Sequence, residues 1–144
     1  MRGFSLIELI IVVVLLGVIS VTALPRFFAS SDVKEITIQD QLISIVRLDQ
    51  TQAMQNTATT VTFQLSQATS QLLDTNSTLQ IQLFDTKAGG GNALSDFRFN
   101  SMGQPLIDNG SGTFVQASNG LRIEILGTVG RKVCIESEGY IWPC

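Results

Sequence analysis

From Phe4 to Leu24 the chain is apolar at almost every position, and only Ser5, Glu8, Gly17, Ser20 and Thr22 break the run. No face of such a helix is polar, which separates it from the half-wet helices of soluble domains. At about 1.5 Å rise per residue, positions 4–24 make a helix of roughly 31 Å, close to the ~30 Å hydrocarbon thickness of a bilayer. The pattern predicts one membrane crossing over 4–24. Ile11-Val12-Val13-Val14 is β-branched, but the run is far longer than a buried strand. It is also longer than the apolar core of a signal peptide and carries a carboxylate, Glu8, which such cores lack.

Beyond Pro25, Arg26-Phe27-Phe28 places a cation and two rings where the membrane would end. The period then becomes that of an amphipathic helix from Val33 to Asn56. Ile36, Ile43, Val46 and Ala53 form a stripe that Leu42 and Ile45 widen, while Lys34, Glu35, Gln41, Ser44 and Gln52 fall on the other side. This helix is expected to continue the first, or nearly so, with its apolar stripe covered by the C-terminal part of the chain.

After Asn56 the apolar positions alternate with a period of two. Val61, Phe63 and Leu65 interleave with Thr60, Thr62 and Gln64, and Leu79, Ile81 and Leu83 with Thr78, Gln80 and Gln82. Ser66 to Ser77 between them reads as a loop with room for a short helical turn. Ala88 to Asn92 (AGGGN) is a break expected to divide the strands into two groups. Phe97 and Phe99 flank Arg98, Asn100 to Pro105 is a turn, Leu106-Ile107 resumes the strand, and Asp108 to Gly112 turns again before Thr113–Gln116. Leu121, Ile123 and Ile125, then Val133 and Ile135, lead through Ser137-Glu138-Gly139 to Tyr140-Ile141-Trp142. Short strands with close Gly and Asn turns predict an antiparallel sheet. The fold class is therefore α+β: a long N-terminal helix, membrane-spanning in its first half and amphipathic in its second, packed on a β-rich head over 57–144.

Composition narrows the function. Of 144 residues none is histidine, 15% are charged, and the formal net charge is −3. Without histidine every Ser–His, Cys–His or His-ligated metal arrangement is excluded. Gly89-Gly90-Gly91 lacks the following Lys-Ser/Thr of a phosphate loop. Glu136 and Glu138 read as a solvated strand edge. No catalytic residue, metal or cofactor is expected. The acidic balance indicates no general attraction to nucleic acid or anionic lipid, so such a partner would need a local basic patch. The residues available are the pair Arg131-Lys132 with Arg122 near it, and Tyr140 and Trp142 as stacking rings. Their plainer reading is a solvated hairpin tip and rings packed on the sheet.

Glu8 stands apart, because an ionisable group inside a membrane span costs about 2.5–3.5 kcal/mol and calls for a partner. Snorkelling to the headgroups is the alternative. Gly3-Phe4-Ser5-Leu6-Ile7-Glu8-Leu9 resembles the processing site of type IV pilins and type II secretion pseudopilins. The resemblance implies that prepilin peptidase removes the leader 1–3 by cutting between Gly3 and Phe4 and methylates the amino group of Phe4. It implies that Glu8, the fifth residue of the mature chain, meets the N-terminal ammonium of an adjacent subunit during assembly. Pro25 matches a position that bends the helix of 4–56 in that family. Met1-Arg2-Gly3 is shorter than the family's leaders, and Arg2 supplies the charge that keeps this end cytoplasmic.

That topology puts the head in the periplasm, where Cys134 and Cys144 can form a disulfide; two free thiols are the alternative, and two sulfurs without histidine do not complete a metal site. The head resembles GspH/FimT-type minor pilins and pseudopilins in Arg47, Ala53-Met54, Phe97-Arg98-Phe99 and Glu138-Gly139-Tyr140-Ile141. The run Val21 to Phe27 is similar to pilins of the mannose-sensitive haemagglutinin system. These resemblances imply a minor pilin or pseudopilin, anchored once in the bacterial inner membrane and then part of a surface pilus with other pilin subunits. The alternatives are a FimT-like DNA-binding pilin of DNA uptake and a GspH-like pseudopilin of type II secretion.

Overall fold

The computed structural model describes residues 5–28, 31–55, 61–75, 77–86 and 89–144, with the side chains of 21–32 outside the description. Helix α1 runs Leu6–Phe28 and α2 runs Ser31–Gln55. Next come strand β1 (Thr62–Gln64), helix α3 (Leu65–Leu72) and strand β2 (Gln80–Phe84). Strands β3 (Ala93–Leu94), β4 (Asp96–Phe99), β5 (Pro105–Asp108) and β6 (Phe114–Gln116) succeed them. The chain closes with β7 (Leu121–Leu126), β8 (Arg131–Ile135) and β9 (Ile141–Pro143).

The strands form two antiparallel sheets, ordered β1-β4-β5-β6 and β3-β2-β7-β8-β9. The AGGGN break does not divide them as expected. β1 lies before it yet pairs with β4, and β2 lies before it yet pairs with β7, Leu83 opposite Ile123. Position in the chain is overridden because each strand's apolar face must meet the core, and that fixes the partner.

Helix α2 supplies one wall of the core and packs against β8, β9, β4 and β1. Ile38, Leu42, Ile43, Val46 and Ala53 are buried in one cluster with Phe97, Leu83, Ile123, Ile135 and Ile141. Each large apolar side chain among them contributes about 1.5–3 kcal/mol by leaving water. Phe97 joins Phe63 at a ring separation of 4.9 Å and Phe99 at 5.2 Å, so three aromatic side chains from β1 and β4 fill the space under α2.

Two positions of the expected helix stripe are exchanged. Ile36, placed on the stripe, is exposed, while Glu35, placed on the solvent face, is fully buried. The reason is a set of backbone donors facing Glu35. The 66–77 segment lies largely in a full helix, α3, whose Ala68 is buried and whose carbonyl at Leu65 accepts from the Thr69 hydroxyl.

Among the described residues no helix is long and apolar enough to cross a membrane. The span expected over 4–24 is not carried by them: residues 5–20, whose side chains are described, cover only about 24 Å at the helical rise, short of the ~30 Å of a bilayer core.

Candidate functional site

Ser5 opens α1, its carbonyl accepting the backbone N–H groups of Glu8 at 3.0 Å and Leu9 at 3.3 Å. Glu8 thus lies in the first turn, where the exposed N–H groups of a helix start favour a carboxylate. Its side chain is exposed, and among the described residues its carboxylate has no hydrogen-bond or ion-pair partner. Around and beyond it, every large apolar side chain from Leu6 to Ile19 is exposed, from 77% at Leu6 to 46% at Val12. Such a surface is stable only when something apolar covers it. Gly3 and Phe4, the expected processing pair, lie outside the described residues. Pro25 lies within the backbone of α1, but its side chain, and the bend expected there, lie outside them too.

At the other end of the chain Cys134 is bonded to Cys144, with Cα atoms 5.8 Å apart. β9 is the edge of its sheet, and this bond fastens it to β8. Trp142, paired with Cys134 across the two strands, donates its indole N–H to Glu136 at 3.2 Å.

The three basic residues weighed for nucleic acid do not form a common surface. Arg122 is buried at 4% exposure, with its guanidinium 4.9 Å from the centre of the Phe84 ring. It donates to the carbonyls of Thr86 at 3.3 Å and Gly90 at 3.1 Å, and so holds the glycine-rich loop onto the sheet. Its Nε also stands 2.8 Å from Glu124 Oε1 as an ion pair, although the N–H is not aligned for a hydrogen bond. Lys132 lies 3.5 Å from the same oxygen and is half exposed. Arg131 is half-buried at the start of β8.

Apart from Arg47, which the resemblance singled out, sequence patterns missed the polar side chains that seat α2. The Glu35 carboxylate accepts the backbone N–H groups of Thr128 at 2.6 Å and Gly130 at 2.9 Å, and that of Val129 at 3.2 Å. Three successive amides of the β7–β8 turn form a concave anion cradle, and a buried carboxylate satisfies it. Gln39 donates to the Lys132 carbonyl, and Arg47 to that of Ile141 at 3.0 Å. Gln50 donates from one amide nitrogen to the carbonyls of Gly103 at 2.8 Å and Gly139 at 2.7 Å. The only available signal was spacing: Glu35, Gln39 and Gln50 share the helix face of Leu42 and Val46. Asp49, beside Gln50 in the chain, has its carboxyl pushed above the usual range by burial.

A family profile described as a prokaryotic N-terminal methylation motif matches residues 1–24. This supports the type IV pilin and pseudopilin family. The match covers much of α1 and its approach, not the head. A prepilin-type N-terminus of this kind implies processing by prepilin peptidase and assembly with other pilin subunits, and it is consistent with membrane anchoring followed by a place in a surface filament. No curated protein and no solved structure matches the chain. The α+β architecture, two N-terminal helices with antiparallel sheets, is consistent with the pilin fold.

Proposed function

We propose that the chain is a minor type IV pilin or pseudopilin, a structural rather than catalytic subunit. It is held in the bacterial inner membrane by residues 4–24 with its head in the periplasm, cut between Gly3 and Phe4, N-methylated at Phe4, and assembled through its N-terminal helix. The observation that carries this reading is α1: a helix matched by a methylation motif whose described apolar side chains are exposed on every face. Lipid covers such a helix before assembly and neighbouring helices cover it afterwards. Within that packing the Glu8 carboxylate answers the Phe4 ammonium of an adjacent copy, since two opposite charges in a low-dielectric medium attract strongly and each alone is costly.

The minor role is supported by the head. Of the residues that resemble the GspH/FimT pattern, Arg47 donates to the Ile141 carbonyl, and Met54 and Gly139 both lie against Gly103. The DNA-uptake reading loses support, because Arg122 is committed to the 86–90 loop and to Glu124.

The test is mass spectrometry of the intact protein from membranes and sheared filaments. A methylated Phe4 N-terminus, in low abundance beside other pilins, is the expected result. An intact Met1 with no pilin companions overturns the proposal. Glu8→Ala is expected to leave cleavage intact and incorporation poor; normal incorporation sinks the charge pairing.

A further inference from the structure

We propose that the β5–β6 turn modifies itself: the backbone nitrogen of Gly110 attacks the side-chain amide of Asn109, ammonia is released, and an aspartyl or isoaspartyl residue is left at position 109. This activity belongs to the head alone and does not depend on assembly with other subunits.

The chain contains two Asn-Gly steps, Asn109-Gly110 and Asn119-Gly120, and the fold treats them oppositely. Every residue from Asp108 to Gly112 is exposed. Gly110 has φ +87°, and a Cβ built on it would meet nothing within 4 Å, so the ring that must form there has room. Gly120 is buried, its N–H is bonded to the Ala117 carbonyl at 2.8 Å, and the Ile135 carbonyl fills the space beside its Cα.

Around Asn109 the turn supplies what an acyl transfer needs. Asp108 Oδ1 accepts the Gly110 N–H at 2.9 Å, which places a base on the proton that the nucleophile must lose. The same oxygen accepts the Gly112 N–H at 2.9 Å and is held in place by it. Asn109 Oδ1 accepts the Ser111 N–H at 3.1 Å and the Ser111 hydroxyl at 2.8 Å. Two donors on that oxygen polarise the amide carbonyl and hold the negative charge it gains when the nitrogen adds. Nucleophile and carbonyl sit on adjacent residues, so bringing them together costs bond rotation and no encounter.

Only the chain and water take part. A bond forms between Gly110 N and Asn109 Cγ as the Gly110 proton passes to Asp108. The bond from Cγ to the side-chain nitrogen then breaks, and that nitrogen takes the proton from Asp108 and leaves as ammonia. Water opens the resulting cyclic imide. Cleavage at Cγ gives the aspartyl residue; cleavage at the backbone carbonyl gives the isoaspartyl residue, whose main chain is one carbon longer. Either product adds a negative charge. The longer one disturbs the pairing of Asp108 with Phe114 that closes the turn, and β6, the edge of its sheet, is the strand it loosens.

The experiment incubates the full chain, purified in detergent, at neutral pH and follows both Asn-Gly peptides by mass spectrometry with fragmentation that separates aspartyl from isoaspartyl products. Expected is conversion at Asn109 with Asn119 retained, and conversion of Asn109 roughly tenfold faster in the folded chain than in the same chain unfolded in urea. Asp108→Ser keeps a turn-forming side chain without the carboxylate, and Ser111→Ala removes the hydroxyl but not the N–H. Each should bring the folded rate down toward the urea rate, in protein whose melting transition shows the head intact. An Asn109 that stays unconverted, that converts no faster than in urea or no faster than Asn119, or that converts at the unaltered rate in both variants overturns the proposal.

Discussion

The carbonyl of Gly103 occupies the space in which a Cβ on Gly139 would stand. Gly139 also has φ +91°, a conformation that side-chain-bearing residues rarely adopt. The β4–β5 turn of one sheet and the β8–β9 turn of the other touch through these two glycines, with Gln50 bridging them. Gly139→Ala therefore meets both strain and collision. It should lower stability by about 2 kcal/mol or more, read as a fall in the urea midpoint; an unchanged midpoint would mean the turns have room to part.

The buried Glu35 carboxylate is the acceptor for three amides of the β7–β8 turn. Glu35→Ala leaves those donors without their partner and should cost about 3 kcal/mol. Glu35→Gln keeps one acceptor oxygen and should cost less. Amide hydrogen exchange at Thr128 to Gly130 is the direct readout, with faster exchange expected in the alanine variant at temperatures where the core stays protected.

Cys134→Ser should destabilise the head by about 3 kcal/mol through release of a short loop in the unfolded chain. The loss should appear under oxidising conditions and vanish when both proteins are compared in reductant. Equal melting temperatures of the oxidised proteins would count against any contribution from the bond.

Asp49 gives a pH dependence of definite sign. Burial raises its carboxyl pKa in the folded protein, so folding favours the protonated acid. The favourable contribution is present below the unfolded carboxylate range and is lost as pH rises through the folded value. Asp49→Asn should therefore raise Tm slightly at neutral pH, with the gain shrinking as pH falls toward the acid range in which the carboxyl is protonated. A gain that grows in acid would reverse the assignment.

Much of the head was legible because alternation survives burial: Phe97 and Phe99, Leu121, Ile123 and Ile125, and Val133 with Ile135 are all buried as their period required. The turns expected at Asn100 to Pro105 and Asp108 to Gly112 stand close to where their Gly and Asn residues placed them, with Pro105 and Asp108 taken up as the two ends of β5. Pattern failed where a polar residue belongs inside. Glu35 looks like solvent surface until the amides of a turn 93 residues later are in place; its spacing from Leu42 and Val46 gives the face but not the partner. The same holds for Arg122, whose carbonyl partners belong to a loop 32 and 36 residues upstream. α3 was hidden by composition, since its Gln, Ser and Thr residues are as common in loops as in short helices.

The amide of Gln50 also bears on how the head comes apart. Because one side chain on α2 holds a turn from each sheet, departure of either sheet takes one of the two carbonyls that fix this amide. Opening of one sheet at that end thereby loosens the anchor of the other, a link between two sheets that have no strand in common.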